Sequence, residues 1–280
     1  MINESTLPTA HVCKLLGTHR SSFYLWQKRA PSTNSDGTLR QSMHVIAQEF
    51  PGYGYRRITV ELHRRKITVN HKKVLRLMHE EKILCKRKSF KPKTTNSNHG
   101  LPLYPNIVRD IVVTRPNQIW VSDITYIHLE EGFVYLASIL DIFGRKCVGW
   151  AMSRRIDAQL ALTALESAIA QRAIFGLNGL IHHSDRGVQY ASHLYVECLA
   201  KHGILISMTQ TGNPRENAFA ESFFKTLKVE EVYLKDYKTF EDAYHNIQQF
   251  IEDVYNAKRI HSSIGYKTPN EMEAEVLNIR

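Results

Sequence analysis

The chain has 280 residues, 43% hydrophobic and 10% aromatic, enough to bury a core in about two domains at roughly 150 residues each, which excludes wholesale disorder. Its longest apolar run, Phe133 to Leu140 with one serine, is about eight residues against the roughly 18 that a membrane helix needs, and MINESTLPTA lacks the features of a secretory leader. The 37 basic residues against 27 acidic ones leave +10, pointing to a polyanionic partner and away from a membrane.

That charge is unevenly placed: residues 1–105 hold 19 Lys and Arg against 6 Asp and Glu, whereas 106–280 hold 18 against 21. Such a split suggests a nucleic-acid-binding region joined to a domain of another kind, with a merely solubilising basic face as the competing account. In chain order, residues 6–16 and 20–29 form a short amphipathic pair around Gly17-Thr18-His19. Residues 38–50, 55–66 and 70–82 then read as amphipathic helices separated by PGYG (51–54) and Ile67-Thr68-Val69. The last pair has helix-turn-helix spacing. At roughly 100° per residue, Val74, Leu75, Leu77 and Met78 share one arc while Lys72, Lys73, Arg76 and His79 share another, and Asn70 can cap the start. Lys72, Lys73 and Arg76 are therefore candidate DNA contacts, unless the basic face is simply solvated. The expected organisation is a helical DNA-binding region over 1–84, a basic extended linker over 85–105 with five basic residues between Lys86 and Lys93, and a second domain over 106–280 with a C-terminal helical extension.

In the second domain, 119–127, 133–141 and 145–152 predict an antiparallel three-stranded meander. A helix from Asp157 to about 173, a short strand 180–183, a helix 191–202, a strand 204–208 and long helices over about 214–232 and 239–257 follow. This order suits an α/β fold with a mixed sheet flanked by helices, the RNase H-like fold among them. Cys13, Cys85, Cys147 and Cys198 stand far apart with no CxxC pair, so reduced thiols in a cytosolic protein are expected and a cysteine-held zinc is not.

Three carboxylates stand out. Asp123 interrupts a run suited to a central strand, where a carboxylate must be paired, hydrogen-bonded or metal-bound; a salt bridge is the plain alternative. Asp185 follows a strand, at the end where ligands bind in α/β folds, although a turn aspartate would look the same. Glu221 falls on a helix arc with Asn217, Lys225 and Lys228, opposite Phe219, Phe223 and Leu227, and a surface Glu–Lys pair would also account for it. Together the three suit a site for two Mg²⁺ ions, with Mn²⁺ as a substitute, beside lysines that hold a phosphate backbone.

The strings WVSDITYI, LASILDIFGRKCVGWAM, IHHSDRGVQYAS, GNPRENAFAESFFKTLK and FIEDVYNAKRIHSSIGYKTPNEM resemble the integrase core of insertion-sequence transposases, specifically second-reading-frame products of the insertion-sequence-three family. YGYRRITVELHRRKITVNHKKVLRLMHEEKIL resembles the helix-turn-helix segment that precedes that core. Thirty-five residues separate Asp185 from Glu221, as in the family's DDE triad, and Lys228 follows seven after the glutamate.

The resemblance implies an RNase H-like core, Asp123, Asp185 and Glu221 as catalytic metal ligands, and Lys228 as a contact to the transposon end. Asn217 is implied as a weaker DNA contact. The implied reaction is hydrolytic 3′-end nicking followed by strand transfer. Double-stranded terminal inverted repeats and target DNA, further copies of the chain on that DNA, and an upstream-frame product, alone or fused by frameshifting, are the implied partners. The implied place is the bacterial cytoplasm, at the nucleoid. Glu216 stands where the family often has aspartate, and Pro214-Arg215 where a Cys-Tyr pair is common. A stand-alone RNase H-like nuclease and a catalytically idle DNA-binding regulator are the competing functions. His182 and His183 are read as packing groups before ligands, and Arg186, Gln189-Tyr190 and the Arg259/His261 pair as either DNA contacts or packing.

Overall fold

A computed structural model describes residues 8–28, 33–84, 101–130, 132–210 and 217–277. Most of the predicted linker (85–100), together with Pro214, Arg215 and Glu216, lies outside the described residues. The first part is helical: α1 (Thr9–Leu15), α2 (Arg20–Lys28), α3 (Thr33–Glu49), α4 (Tyr55–Arg64) and α5 (His71–Glu80). Asn70 caps α5 as expected, its side chain accepting from the Lys72 N–H at 2.8 Å. Val74, Leu77 and Met78 are buried, whereas Leu75 is only half-buried. They meet Leu39, Met43 and Ile46 of α3 and Ile58 and Leu62 of α4 in one cluster.

The sheet forms where β-branched and aromatic residues concentrate. β1 (Ile119–Leu129), β2 (Gly132–Asp141) and β3 (Lys146–Ser153) make the predicted antiparallel meander. α6 (Ala158–Arg172), β4 (Ile181–Ser184), α7 (His193–Lys201) and β5 (Leu205–Met208) follow. β4 and β5 run parallel to β1, giving the order β3-β2-β1-β4-β5, which is the RNase H-like arrangement. Period-two alternation sends Val121, Ile127 and Leu129 to one face of the sheet and Trp120 to the other. α6 and α7 cover the Trp120 face. α6 approaches β3 so closely that a Cβ on Gly149 would lie 2.5 Å from the Ala164 carbonyl oxygen.

α8 (Ala218–Glu230) and α9 (Phe240–Gln249) cover the Val121 face. The apolar stripe of α8 is Ala220, Phe223, Phe224 and Leu227, the i, i+3, i+4, i+7 pattern of a core-facing helix. Phe219, assigned to that stripe from the sequence, is instead 36% exposed beneath the Arg145 guanidinium, 4.7 Å from its ring centre. The predicted helix 239–257 is α-helical only to Gln249 and continues as a π-helix over Phe250–Asn256.

A final helix, α10 (Pro269–Leu277), to which the sequence reading gave no bounds, lies within the expected C-terminal helical extension. Its signal is Thr268-Pro269-Asn270-Glu271, a capping box: the Glu271 N–H donates to Thr268 Oγ1 at 3.2 Å while the Thr268 N–H donates to Glu271 Oε2 at 2.8 Å. Glu273 on α10 ties it down by accepting from Lys146 at 2.5 Å and from Arg172. Burial alone would push the Glu273 carboxyl up, but these two cations outweigh it and hold it below the usual range. The stabilisation is therefore fully present above the unfolded carboxyl's pKa of roughly 4.3, and is lost as pH falls through the lower folded value. Glu273→Gln is expected to lower stability by about 3 kcal/mol at neutral pH and to flatten the acid limb. Urea midpoints measured across pH 3 to 7 check this, and an equal loss at every pH would contradict it.

Both open edges of the sheet carry a stopper. At β3, the Cys147 N–H donates to Asn256 Oδ1 (3.0 Å) and Asn256 Nδ2 donates back to the Cys147 carbonyl (2.9 Å). At β5, the Met208 N–H donates to the Pro105 carbonyl (3.4 Å) and the Ile107 N–H to Ser207 Oγ (3.1 Å).

The helical part shares its core with the sheet domain. Ile260 is wholly buried within the α3–α5 cluster, with Val254 and Tyr266 packed against it. The Ile260 N–H donates to the Tyr53 hydroxyl at 2.8 Å, and Arg64 forms a two-pronged ion pair with Glu271. Among the described residues, no helix is long and apolar enough to cross a membrane.

Candidate active site

Parallel pairing of β1 with β4 sets the site. Trp120 pairs with His182 and Val121 with His183, and two more residues at the same offset bring Asp123 beside Asp185, one strand spacing away. Asp123 is half-buried, its Oδ1 accepting from the Ile124 N–H at 2.9 Å. Asp185 begins the turn after β4, its Oδ1 accepting from the Gly187 N–H at 2.9 Å. A Cβ on Gly187 would stand 2.9 Å from that same oxygen, so glycine lets the turn close.

Glu221 comes to the same place from the first turn of α8, on its solvent side. Desolvation raises the Asp123 carboxyl to about 7, and the negative charges of Asp185 and Glu221 push it in the same direction against the Ile124 N–H and the Lys228 ammonium. Glu221 is itself raised by partial burial. The three carboxylates thus form one repelling group of oxygen donors. As the side chains stand, no three His, Cys, Asp or Glu groups among the described residues are gathered tightly enough to enclose an ion.

Lys228 lies two turns along α8, its Nζ 4.5 Å from the Tyr126 ring centre. Burial lowers its pKa, partly opposed by the negative charge of Asp123. Tyr126 was not singled out from the sequence, where period-two alternation places it on the opposite face of β1 from Asp123. Lys225, one turn after Glu221, is exposed.

Asn217 is placed differently from the contact the resemblance implies. It is buried, and its Nδ2 donates to the Ser122 carbonyl at 2.9 Å, stitching the start of α8 to the strand residue next to Asp123. DNA contact from this position would require pulling the amide out of the protein. Asn217→Ala leaves that carbonyl without its donor, an expected loss of about 1–3 kcal/mol, measurable by chemical denaturation. A variant as stable as the parent would remove the stitch from consideration.

His182 and His183 are fully buried, with hydrogen bonds to Tyr195 (2.8 Å) and Ser207 (2.9 Å). Burial drops His182 to about 3, keeping it neutral. Tyr190, Arg259 and His261 are also buried and pack inside the protein. Arg186 donates to the Thr209 carbonyl at 2.6 Å. On the helical region, Lys72 is exposed, Lys73 pairs with Asp36 at 2.5 Å, and Arg76 with Glu80 at 2.5 Å. Two of the three expected DNA contacts thus already hold carboxylates of their own chain.

Comparison with known proteins adds an independent line. Two family models described as Integrase core domain match residues 113–214 and 202–269, and one described as HTH-like domain matches 35–90. The chain is 38% identical over 264 residues to the insertion element IS600 uncharacterized 31 kDa protein of Shigella sonnei, covering 92% of this chain and 96% of that protein. It is 38% identical over 237 residues to the transposase for insertion sequence element IS904 of Lactococcus lactis, covering 84% and 93%. With the InsF transposase for insertion sequence IS3A of Escherichia coli it shares 34% identity over 269 residues, covering 94% and 92%.

Proposed function

The chain belongs to the insertion-sequence-three (IS3) family of transposases, and on that premise we propose that it nicks the 3′ ends of its own element and joins them to target DNA. The observation that carries this reading is the meeting of Asp123, Asp185 and Glu221, from a strand, a strand end and a helix, with Lys228 beside them. Three oxygen donors with no thiolate or imidazole among them fit a hard divalent cation, Mg²⁺ with Mn²⁺ as substitute, and their mutual repulsion is what such a charge relieves.

When bound, a pair of such ions supplies Lewis acidity at the scissile phosphate and lowers the pKa of the attacking hydroxyl. The protein's own part is positional. Asp123 and Asp185 hold fixed places because their strands are paired, and Asn217 holds α8 against β1 so that Glu221 faces them. Lys228, spread along the Tyr126 ring, offsets phosphate charge, and exposed Lys225 extends the cationic track along α8. The helical region grips the terminal repeats through α5, led by Lys72, with Lys73 and Arg76 recruited by exchanging their carboxylates for phosphates. Several copies assemble on the DNA to hold two ends at once, and the upstream-frame product, as partner or fusion, adds end affinity.

The test is cutting and joining of a labelled duplex taken from the DNA flanking the gene, with Mg²⁺ or Mn²⁺, by the wild type and by Asp185→Asn. Joined product from the wild type alone supports the proposal. Unselective cutting lost in the variant would favour a stand-alone nuclease, and binding without cutting by both, in the fused form as well, an idle regulator.

A further inference from the structure

The helix that carries Glu221 is clamped at its other end, and the helical region takes part in the clamp. Glu230, the last residue of α8, accepts from Arg259 Nε and an NH group at 2.8 Å each, with the two side chains 4% and 3% exposed. The PGYG turn between α3 and α4 sits directly on this pair: a Cβ on Gly52 would lie 2.1 Å from Glu230 Oε1 and 2.6 Å from its Cγ and Cδ. Glu230 cannot swing aside to make room, because both oxygens are held by Arg259. The next residue, Tyr53, accepts from the Ile260 N–H, stacks on Phe50 with ring centres 4.5 Å apart, and lies under the Arg57 guanidinium at 5.5 Å. One buried node therefore joins the entry to the helix-turn-helix pair, the C-terminal arm of the core and the helix bearing the third carboxylate.

We propose that this node works as a ruler: by locking α4 and α5 to α8, it fixes how far from the gripped DNA the cut phosphate must lie. Gly52, Tyr53, Glu230 and Arg259 are then positioning residues that determine where the strand is nicked, acting through the α8 helix without touching the substrate. The inference rests on the nicking activity proposed above, and it differs from a purely structural role in what it moves. A loosened node leaves grip and chemistry in place but lets the angle between them vary.

Gly52→Ala and Tyr53→Phe in the full chain test this, the first pushing the 51–54 turn off the Glu230–Arg259 pair and the second removing a single bridging hydroxyl. Three readouts are taken on end-labelled duplexes from the flanking DNA with Mg²⁺: the footprint of the bound protein, the total nicking, and the position of the nick at single-nucleotide resolution. The expected result is an unchanged footprint and near-parental total nicking, with the cut spread from one phosphate to its neighbours, more in Gly52→Ala than in Tyr53→Phe. Hydrogen exchange over α8 is expected to quicken in both. A single unmoved cut from variants that still bind, or nicking that falls while its position stays sharp, overturns the ruler. Absence of any metal-dependent nick from the wild type overturns the proposed function, a failure visible before either variant is made.

Discussion

Asp123→Asn is expected to abolish metal-dependent cutting and joining, lowering the rate by at least about 10³-fold, since the several kcal/mol that a correctly held metal contributes translate at about 1.4 kcal/mol per tenfold. The fold should not suffer. An asparagine Oδ1 can still accept from the Ile124 N–H that Asp123 now uses, and β1 keeps its pairing with β2 through Ser138. What is lost is one negative charge from a group of three that repel one another, so the variant without metal is expected to be at least as stable as the parent. Mg²⁺ should raise the parent's melting temperature and leave the variant's nearly unmoved. Rates and melting curves, each with and without the metal, separate this outcome from simple unfolding. A variant that retains most of the parental activity would remove Asp123 from the reaction.

The second large effect is on stability. Arg259→Ala strips the partner from a carboxylate with almost no access to water, and an unpaired buried charge of this kind is worth roughly 3–5 kcal/mol. The loss should reach both parts of the molecule, because Glu230 also supports Gly52 and the neighbouring Ile260 N–H is held by Tyr53. Urea unfolding followed separately through the helical region and the sheet should show both transitions moving down. Replacing both members, Glu230→Gln with Arg259→Met, should recover part of the loss, since no buried charge is then left alone. Additive losses in the double variant would mean that the two side chains act independently.

The sheet was readable in the sequence because strand residues obey a local rule: β-branched and aromatic runs cut by turns give β1, β2 and β3 almost to the residue. Asp123 stood out for a related reason, since an aspartate in the middle of WVSDITYI breaks a pattern that everything around it keeps, whereas Asp185 and Glu221 each read equally well as a turn and a surface residue and were singled out by the family spacing. Helix faces were less secure. A 3.6-residue period places Phe219 with Phe223 as readily as it places Phe224, and only the approach of Arg145 decides between them. The buried seat of Asn217 was hidden because an amide reads as polar wherever it occurs, and the carbonyl it serves lies 95 residues away. The Glu230–Arg259 node was beyond reach for the same reason: ion pairs that close long loops leave no periodic trace. The positive excess of the first 105 residues suggested an arm on a tether, and composition carries no sign of the shared core at Ile260.

Asn256 has a consequence for how copies of the chain can meet. By returning both hydrogen bonds of Cys147, its amide behaves as a strand one residue long, made possible by the wider π-helical turn that delivers it. On the far side of the sheet Pro105 takes the N–H of Met208, and Ile107 is held through the Ser207 side chain. Neither flank is left as a continuous ladder of free N–H and C=O groups for another chain to extend. Under the proposed assembly of several copies, contacts between them would then fall to helices and loops, whose contacts depend on particular side chains and so can distinguish a correct neighbour from an arbitrary one. An interruption at each flank works against strand-by-strand extension of the sheet, to which an uncapped edge is prone.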